Sequence, residues 1–195
     1  MAMDGDRYDA MVVLDIDFTL AHTYACGGSS CMHEREHCGE APIFLDGKNT
    51  HIHIRPGTRD LFSWMKSMNY GTIIFTAGSS RYAAKVASMI EGASDALILD
   101  RTHMTEPNKK WSDISALVGY DVLDPSGCPI VAVDDMRNNF ADADPVHCIL
   151  VEPYCIAEVD GMEWVEPRVS WPSLRTVIED RVRSINRMRA NSCDR

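Results

Sequence analysis

Five short apolar runs punctuate the chain, and none shows the polar alternation of a half-exposed strand. They are Ala10–Leu14, Gly71–Phe75, Ala96–Leu99, Pro129–Val133 and Val146–Val151. Continuous β-branched runs of this length suit strands covered on both faces, as in a parallel sheet. Stretches with helical apolar spacing lie between them. Thr58 can cap a helix carrying Leu61, Phe62, Met65 and Met68, and Ser79 or Ser80 can cap one carrying Tyr82, Val86, Met89 and Ile90. The last helix, over 170–191, is the clearest. Pro172 suits its first turn, and Leu174, Val177, Ile178, Val182, Ile185 and Met188 recur at three- and four-residue spacing. Its other face, with Arg175, Arg181, Arg183, Arg187 and Arg189, reads as solvated. The alternation predicts one α/β domain over 1–195, a layered sandwich around a mostly parallel sheet.

Residues 21–57 break the alternation. They hold a Cys/His-rich stretch, Tyr24 to Glu40, then the short runs Pro42–Leu45 and His51–Ile54 around Asp46-Gly47. Asp-Gly between two apolar runs is a hairpin signal, so this segment reads as a loop plus a small β-hairpin inserted after the first strand. His51 and His53 share a strand face and read as hairpin surface. Cys26, Cys31, His33, His37 and Cys38 could offer soft metal ligands. Structural zinc sites commonly use two closely spaced pairs, and these spacings are irregular, so the thiols read as incidental to a loop.

Composition narrows the partners. Lys and Arg number 19 against 29 Asp and Glu, a net charge of −10. That balance argues against non-specific nucleic-acid binding and against adsorption on an anionic membrane. No run approaches the ~18 apolar residues of a membrane span. Asp4, Asp6 and Asp9 stand where a leader would carry basic and then apolar residues. Seven cysteines, an odd number, of which Cys128, Cys148, Cys155 and Cys193 lack pairing rhythm, suggest a reduced chain inside the cell, and nucleus or cytoplasm is the expected place. A monomer is expected.

The candidate chemistry lies at the strand ends, where open parallel sheets bind their ligands. Asp15 and Asp17 follow the first run, Thr76 follows Ile73-Ile74-Phe75, and Asp134 and Asp135 follow Val131-Ala132-Val133. Carboxylates converging on one edge repel one another and call for a cation. Hard oxygen ligands with room for water point to Mg²⁺.

Val13-Leu-Asp-Ile-Asp-Phe-Thr-Leu-Ala-His22 resembles the DxDx(T/V) signature of haloacid-dehalogenase-superfamily phosphatases, and within them the phosphatases of the RNA polymerase II C-terminal domain. Arg55-Pro56-Gly57, Phe75-Thr-Ala77 with Tyr82-Ala83, Asp113-Ile-Ser-Ala-Leu117 and Val131-Ala-Val-Asp-Asp135 resemble that family's later motifs, in order. Phe18 stands where the family usually has Glu, and Ser112 where it has the phosphate-binding lysine, so Lys110 or its neighbour Lys109 must supply that charge.

The resemblance implies a Rossmann-like three-layer fold without a large cap domain, and a two-step phosphoryl transfer. Asp15 would be the nucleophile and Asp17 the general acid and base. Thr76, Ala77 and Lys110 would bind the phosphate. Mg²⁺ would be held by Asp15, Asp17 through its backbone carbonyl, and Asp134 or Asp135. It also implies a phosphorylated protein or peptide as substrate, such as the polymerase tail, with Arg55 and Arg59 beside the hairpin walling an open groove. A small phosphate ester or nucleic-acid 3′-phosphate is the competing substrate class, and a phosphoprotein-binding module without turnover the competing function.

Overall fold

The structure is a computed structural model that describes residues 8–26, 43–117, 128–154 and 171–193. Strands β1 (Ala10–Leu14), β5 (Tyr70–Phe75), β6 (Leu97–Leu99), β7 (Ile130–Asp134) and β8 (Cys148–Leu150) form one sheet in the order β6-β5-β1-β7-β8. Every pairing in it is parallel, and Val13 lies between Ile73 and Ala132. This is the sheet that the uninterrupted apolar runs predict. Three more strands, β2 (Ala21–Cys26), β3 (Ile43–Leu45) and β4 (Lys48–Ile54), make a small antiparallel sheet in the order β2-β4-β3.

Side chains alternate across β1, so the strand feeds two cores. Ala10, Val12 and Leu14 pack with helices α1 (Thr58–Ser67), α2 (Ser80–Met89) and α4 (Trp171–Cys193). Met11 and Val13 pack on the opposite face with Ile114 of α3 (Trp111–Leu117) and with Phe140. The result is the three-layer sandwich. Val177 and Met188, counted with the apolar face of α4, are instead 39% and 47% exposed, beyond the edge of the stripe that reaches the sheet.

The insert departs from the expected loop at its start, because β2 is a regular strand paired along its length with β4. The expected hairpin follows. Asp46 (φ 48°) and Gly47 (φ 82°) both occupy the left-handed region, as a tight two-residue turn with right-handed strand twist requires. His51 is buried rather than on the hairpin surface, and its ring stacks near that of His53 at 6.4 Å. Cys31, His33, His37 and Cys38 lie outside the described residues, and so does any ligand set built on them.

Caps fix where the helices begin. Gly57 (φ 82°), not Thr58, precedes α1, and the Thr58 hydroxyl donates to the Arg55 carbonyl at 2.7 Å. Ser79 does cap α2, accepting from the Tyr82 N–H at 3.2 Å. At the end of β6, Asp100 closes the turn Arg101–His103 by accepting from Thr102 N–H (2.8 Å) and Oγ1 (2.6 Å). Arg101 then holds the loop after β5, its N–H on the Gly78 carbonyl (3.1 Å) and its Nε on that of Ala77 (2.7 Å).

Burial works to raise the Asp100 carboxyl, but hydrogen bonds from Ser80 and Thr102 overcome it and hold it down at about 2. Stability from such a group is complete above its unfolded value near ~3.9 and is lost as pH falls through the folded one. Asp100→Asn should therefore lower the unfolding free energy at neutral pH by about 1 kcal/mol. In denaturant titrations the gap to wild type should close between about pH 4 and 2. A gap that stays constant over that range would contradict this account.

Candidate active site

Because β1, β5 and β7 are adjacent and parallel, their carboxyl ends deliver Asp15, Thr76 and Asp134 to one edge. The ladder continues one step past the strands, with Asp15 N–H on the Val133 carbonyl (3.1 Å) and Thr76 N–H on that of Leu99 (3.0 Å). The chain then folds back sharply. The Ile16 carbonyl accepts from the N–H groups of Thr19, Leu20 and Ala21, and Phe18 is forced to φ 59°. Two groups clamp this turn. The Tyr154 N–H donates to the Phe18 carbonyl, and Arg55 Nη1 reaches the carbonyls of Thr19 (3.3 Å) and Glu152 (3.4 Å). Arg55 is thus a buried strut, 2% exposed, and does not wall a groove. Arg59 is a surface residue paired with Glu91 at 3.0 Å.

The lysine at the strand ends is Lys109, not Lys110. Its buried Nζ donates to Asp15 Oδ1, to Asp134 Oδ2 (2.6 Å) and to the Phe75 carbonyl (3.2 Å). Lys110 turns outward and pairs with Glu106 at 3.1 Å. Loop pinning decides between the two neighbours. Asp113 accepts from Thr105 N–H (3.2 Å) and Lys110 N–H (3.0 Å). Asn139 Oδ1 accepts from Lys109 N–H (3.2 Å), and Phe140 N–H donates back to the Lys109 carbonyl (2.8 Å). Asp142 caps α3 through Trp111 N–H (2.7 Å) and Ser112 N–H (3.0 Å), completing the frame.

Carboxylate oxygens of Asp15, Asp134 and Asp135 lie within 4.8 Å of one another. Burial pushes the Asp15 carboxyl well up from its ordinary value against the pull of the Lys109 ammonium, and Asp134 adds to the rise. Asp135 is raised as well, by burial and then by Asp134. Burial alone would lower Lys109, but Asp15 and Asp134 outweigh it and raise it. Three acids face a single ammonium, so this donor set has charge and hard oxygens to spare for a divalent cation.

The Asp17 side chain stands apart from that cluster. Its Oδ1 accepts from the Tyr82 hydroxyl at 2.6 Å and from Thr23 Oγ1 at 3.3 Å, and its Oδ2 from Thr76 Oγ1 at 3.3 Å. Burial, and then the Asp17 carboxylate, push the Tyr82 phenol far up, so it stays a donor. Thr76 also accepts from the Gly78 N–H at 2.9 Å, and Ala77 lies in the loop that Arg101 holds. His22 is lowered by burial against a smaller pull from Asp17.

Sequence reasoning missed Asn139 and the hydroxyl of Tyr82. Asn139 donates to both Asp134 oxygens, at 2.9 and 3.1 Å. Its position on the turn after β7 was the available signal. Tyr82 reads as an apolar helix residue, yet its place three after the Ser79 cap puts it in the first turn, next to the strand ends.

Lys109→Met leaves Asp15 and Asp134 buried without their counter-charge. It should cost about 3 kcal/mol in denaturant unfolding, whereas Lys110→Met, which loses a solvent-facing pair, should leave the unfolding midpoint unchanged. Equal losses would overturn the assignment of Lys109 as the buried partner.

No curated protein matches the sequence. A variant of the fission yeast RNA polymerase II CTD phosphatase Fcp1, bound to beryllium fluoride, matches the fold at 16% identity with a TM-score of 0.56, over 92% of this chain and 50% of that one. A structure of Fcp1, described as an essential RNA polymerase II CTD phosphatase, matches at 17% identity and a TM-score of 0.56, over 92% and 49%. The chain spans about half the length of those chains. At this identity the likeness shows a shared fold. The family match, to NLI interacting factor-like phosphatases, runs over residues 10–168 and takes in the eight described strands together with Asp15, Asp17, Thr76, Lys109, Asp134 and Asp135. The chain belongs to the NLI interacting factor-like phosphatase family.

Proposed function

We propose that this protein is a magnesium-dependent phosphoprotein phosphatase that hydrolyses phosphoserine and phosphothreonine through an aspartyl-phosphate on Asp15. The observation that carries the reading is the separation of two carboxylates only two residues apart. Asp15 faces Lys109, Asp134 and Asp135, whereas Asp17 faces Tyr82, Thr23 and Thr76. One is placed to be a nucleophile and the other to handle a proton.

In the first step an Asp15 oxygen bonds to phosphorus as the bond to the seryl oxygen breaks. Asp17 gives that oxygen its proton. In the second, Asp17 takes a proton from the water that hydrolyses the aspartyl-phosphate. Lys109, rather than Lys110, holds the non-bridging oxygens together with Thr76 and the backbone at Ala77, where transition-state charge is spread. Mg²⁺ in this site supplies charge neutralisation between the carboxylate nucleophile and the phosphate. Asp15, Asp135 and the backbone carbonyl of Asp17 are the groups to hold it. Asp134 is already engaged by Lys109, Asn139 and the Met136 N–H (2.8 Å), which suits it to orienting the lysine.

A protein substrate is favoured by the absence of a lid between β5 and Lys109. There the chain forms only α2, β6 and two short turns, too little to bury a core of its own. An open site gains little from enclosing a metabolite, but it can admit a phosphorylated side chain on an extended peptide. The likeness to Fcp1 favours a phosphorylated tail of the polymerase type.

Asp15→Asn should lower Mg²⁺-dependent hydrolysis of a phosphoserine peptide at least ~10³-fold while the fold is kept. Retention of more than about a tenth of the activity would sink covalent catalysis by Asp15. For wild type, kcat/KM on the phosphoserine peptide should exceed that on sugar phosphates and nucleotides by ~10²-fold. Equal or better turnover of the small esters would instead support a small-molecule phosphatase. Binding of the peptide without turnover would support a phosphoprotein-binding module.

A further inference from the structure

Three features converge on the hydroxyl of Tyr82. The Ser79 cap holds its backbone N–H, and the Ser79 hydroxyl in turn donates to Asp46 Oδ2 at 2.6 Å, so the insert's hairpin turn and the α2 cap set Tyr82 together. The ring is buried against the loop after β5, and a Cβ on Gly78 would come within 2.3 Å of its Cδ1, so only glycine leaves it room. From there the phenol donates to Asp17 Oδ1 at 2.6 Å.

That bond makes the two oxygens of Asp17 unequal. Oδ1 has the short bond from Tyr82 and a second, longer one from Thr23 at 3.3 Å. Among the described residues, Oδ2 accepts only from the Thr76 hydroxyl at 3.3 Å, long for an O–H donor to a carboxylate. We infer that Tyr82 is a positioning residue that fixes Asp17 through Oδ1 and leaves Oδ2 as the oxygen that carries the transferred proton. The inference rests on the proposed phosphatase reaction. As the P–O(Ser) bond breaks and the bond from Asp15 to phosphorus forms, the proton leaves Oδ2 for the seryl oxygen. The negative charge left on Asp17 is then met by the hydrogen bonds already in place at Oδ1.

A held general acid matters in proportion to how badly the leaving oxygen needs its proton. A seryl alkoxide needs it fully, and p-nitrophenolate hardly at all. The test compares kcat/KM for a phosphoserine peptide and for p-nitrophenyl phosphate, with Mg²⁺, in wild type, Tyr82→Phe, Asp17→Asn and the double variant. Tyr82→Phe should lower the peptide value about tenfold more than the aryl value. In the Asp17→Asn background, the same change should cost less than about twofold on the peptide. Should Tyr82→Phe not fold, Thr23→Val carries the same comparison, because it removes the other donor to Oδ1. Equal losses on both esters, or an undiminished cost on top of Asp17→Asn, would overturn the inference and leave the phosphatase reading intact. Wild type that hydrolyses neither ester would overturn both.

Discussion

A buried ammonium ties the strand ends together. Lys109 Nζ bridges Asp15 after β1 and Asp134 at the end of β7, with its side chain 3% exposed. Removing such charges from water costs several kcal/mol per ion, which their mutual attraction offsets only where the geometry is held ready. The surrounding bonds have that purpose. Asp113 and Asp142 frame the loop and start of α3, Asn139 and Phe140 hold the Lys109 backbone, and Asn139 also orients the carboxylate that Lys109 meets. The second core, where Phe140 packs with Ile114 and Phe75, keeps this frame against the sheet.

Asp15 and Asp17 reach different surroundings because the strand ends at Leu14 and the chain turns between them. In a continuing strand two residues of the same parity would face the same way. The turn on the Ile16 carbonyl, with Phe18 at φ 59°, swings Asp17 away from the sheet axis and toward α2 and β2. The small antiparallel sheet therefore belongs to the site as well as to the surface. β2 brings Thr23 to Asp17, and the Asp46 turn holds the cap of the helix that carries Tyr82. Arg55, at the far end of β4, locks the same turn from behind.

The sheet was legible because its central strands β5, β1 and β7 are largely buried on both faces, and the edge strands β6 and β8, though less covered, also read as apolar runs. For β1 even the limits, Ala10 and Leu14, agree. The strand-end carboxylates and Thr76 followed from the sheet and needed no contact information. The Asp46-Gly47 turn was legible for a local reason, since its backbone needs residues that tolerate positive φ. What could not be read were choices made by distant partners. Lys109 and Lys110 are the same residue type side by side, and only Asp113 and Asn139, from other segments, decide which one turns inward. Arg55 and His51 look like surface residues because their burial depends on chain that is remote in sequence. The Tyr82 hydroxyl was hidden because a helix pattern counts a tyrosine as apolar and says nothing about its polar end.

The site's charge balance links its chemistry to its burial. With Asp15, Asp134 and Asp135 all ionised, one ammonium leaves two negative charges uncompensated in a water-poor pocket. Burial raises the Asp15 carboxyl beside Lys109, against the pull of that ammonium. A protonated Asp15 would be a poor nucleophile, and a dianionic phosphate would add to the same excess. In the proposed reaction a second positive centre among these oxygens would remove both difficulties, so that nucleophile and cation site would form a single electrostatic unit. Asp17 stands outside this set of oxygens, its hydrogen bonds coming from the neutral hydroxyls of Tyr82, Thr23 and Thr76.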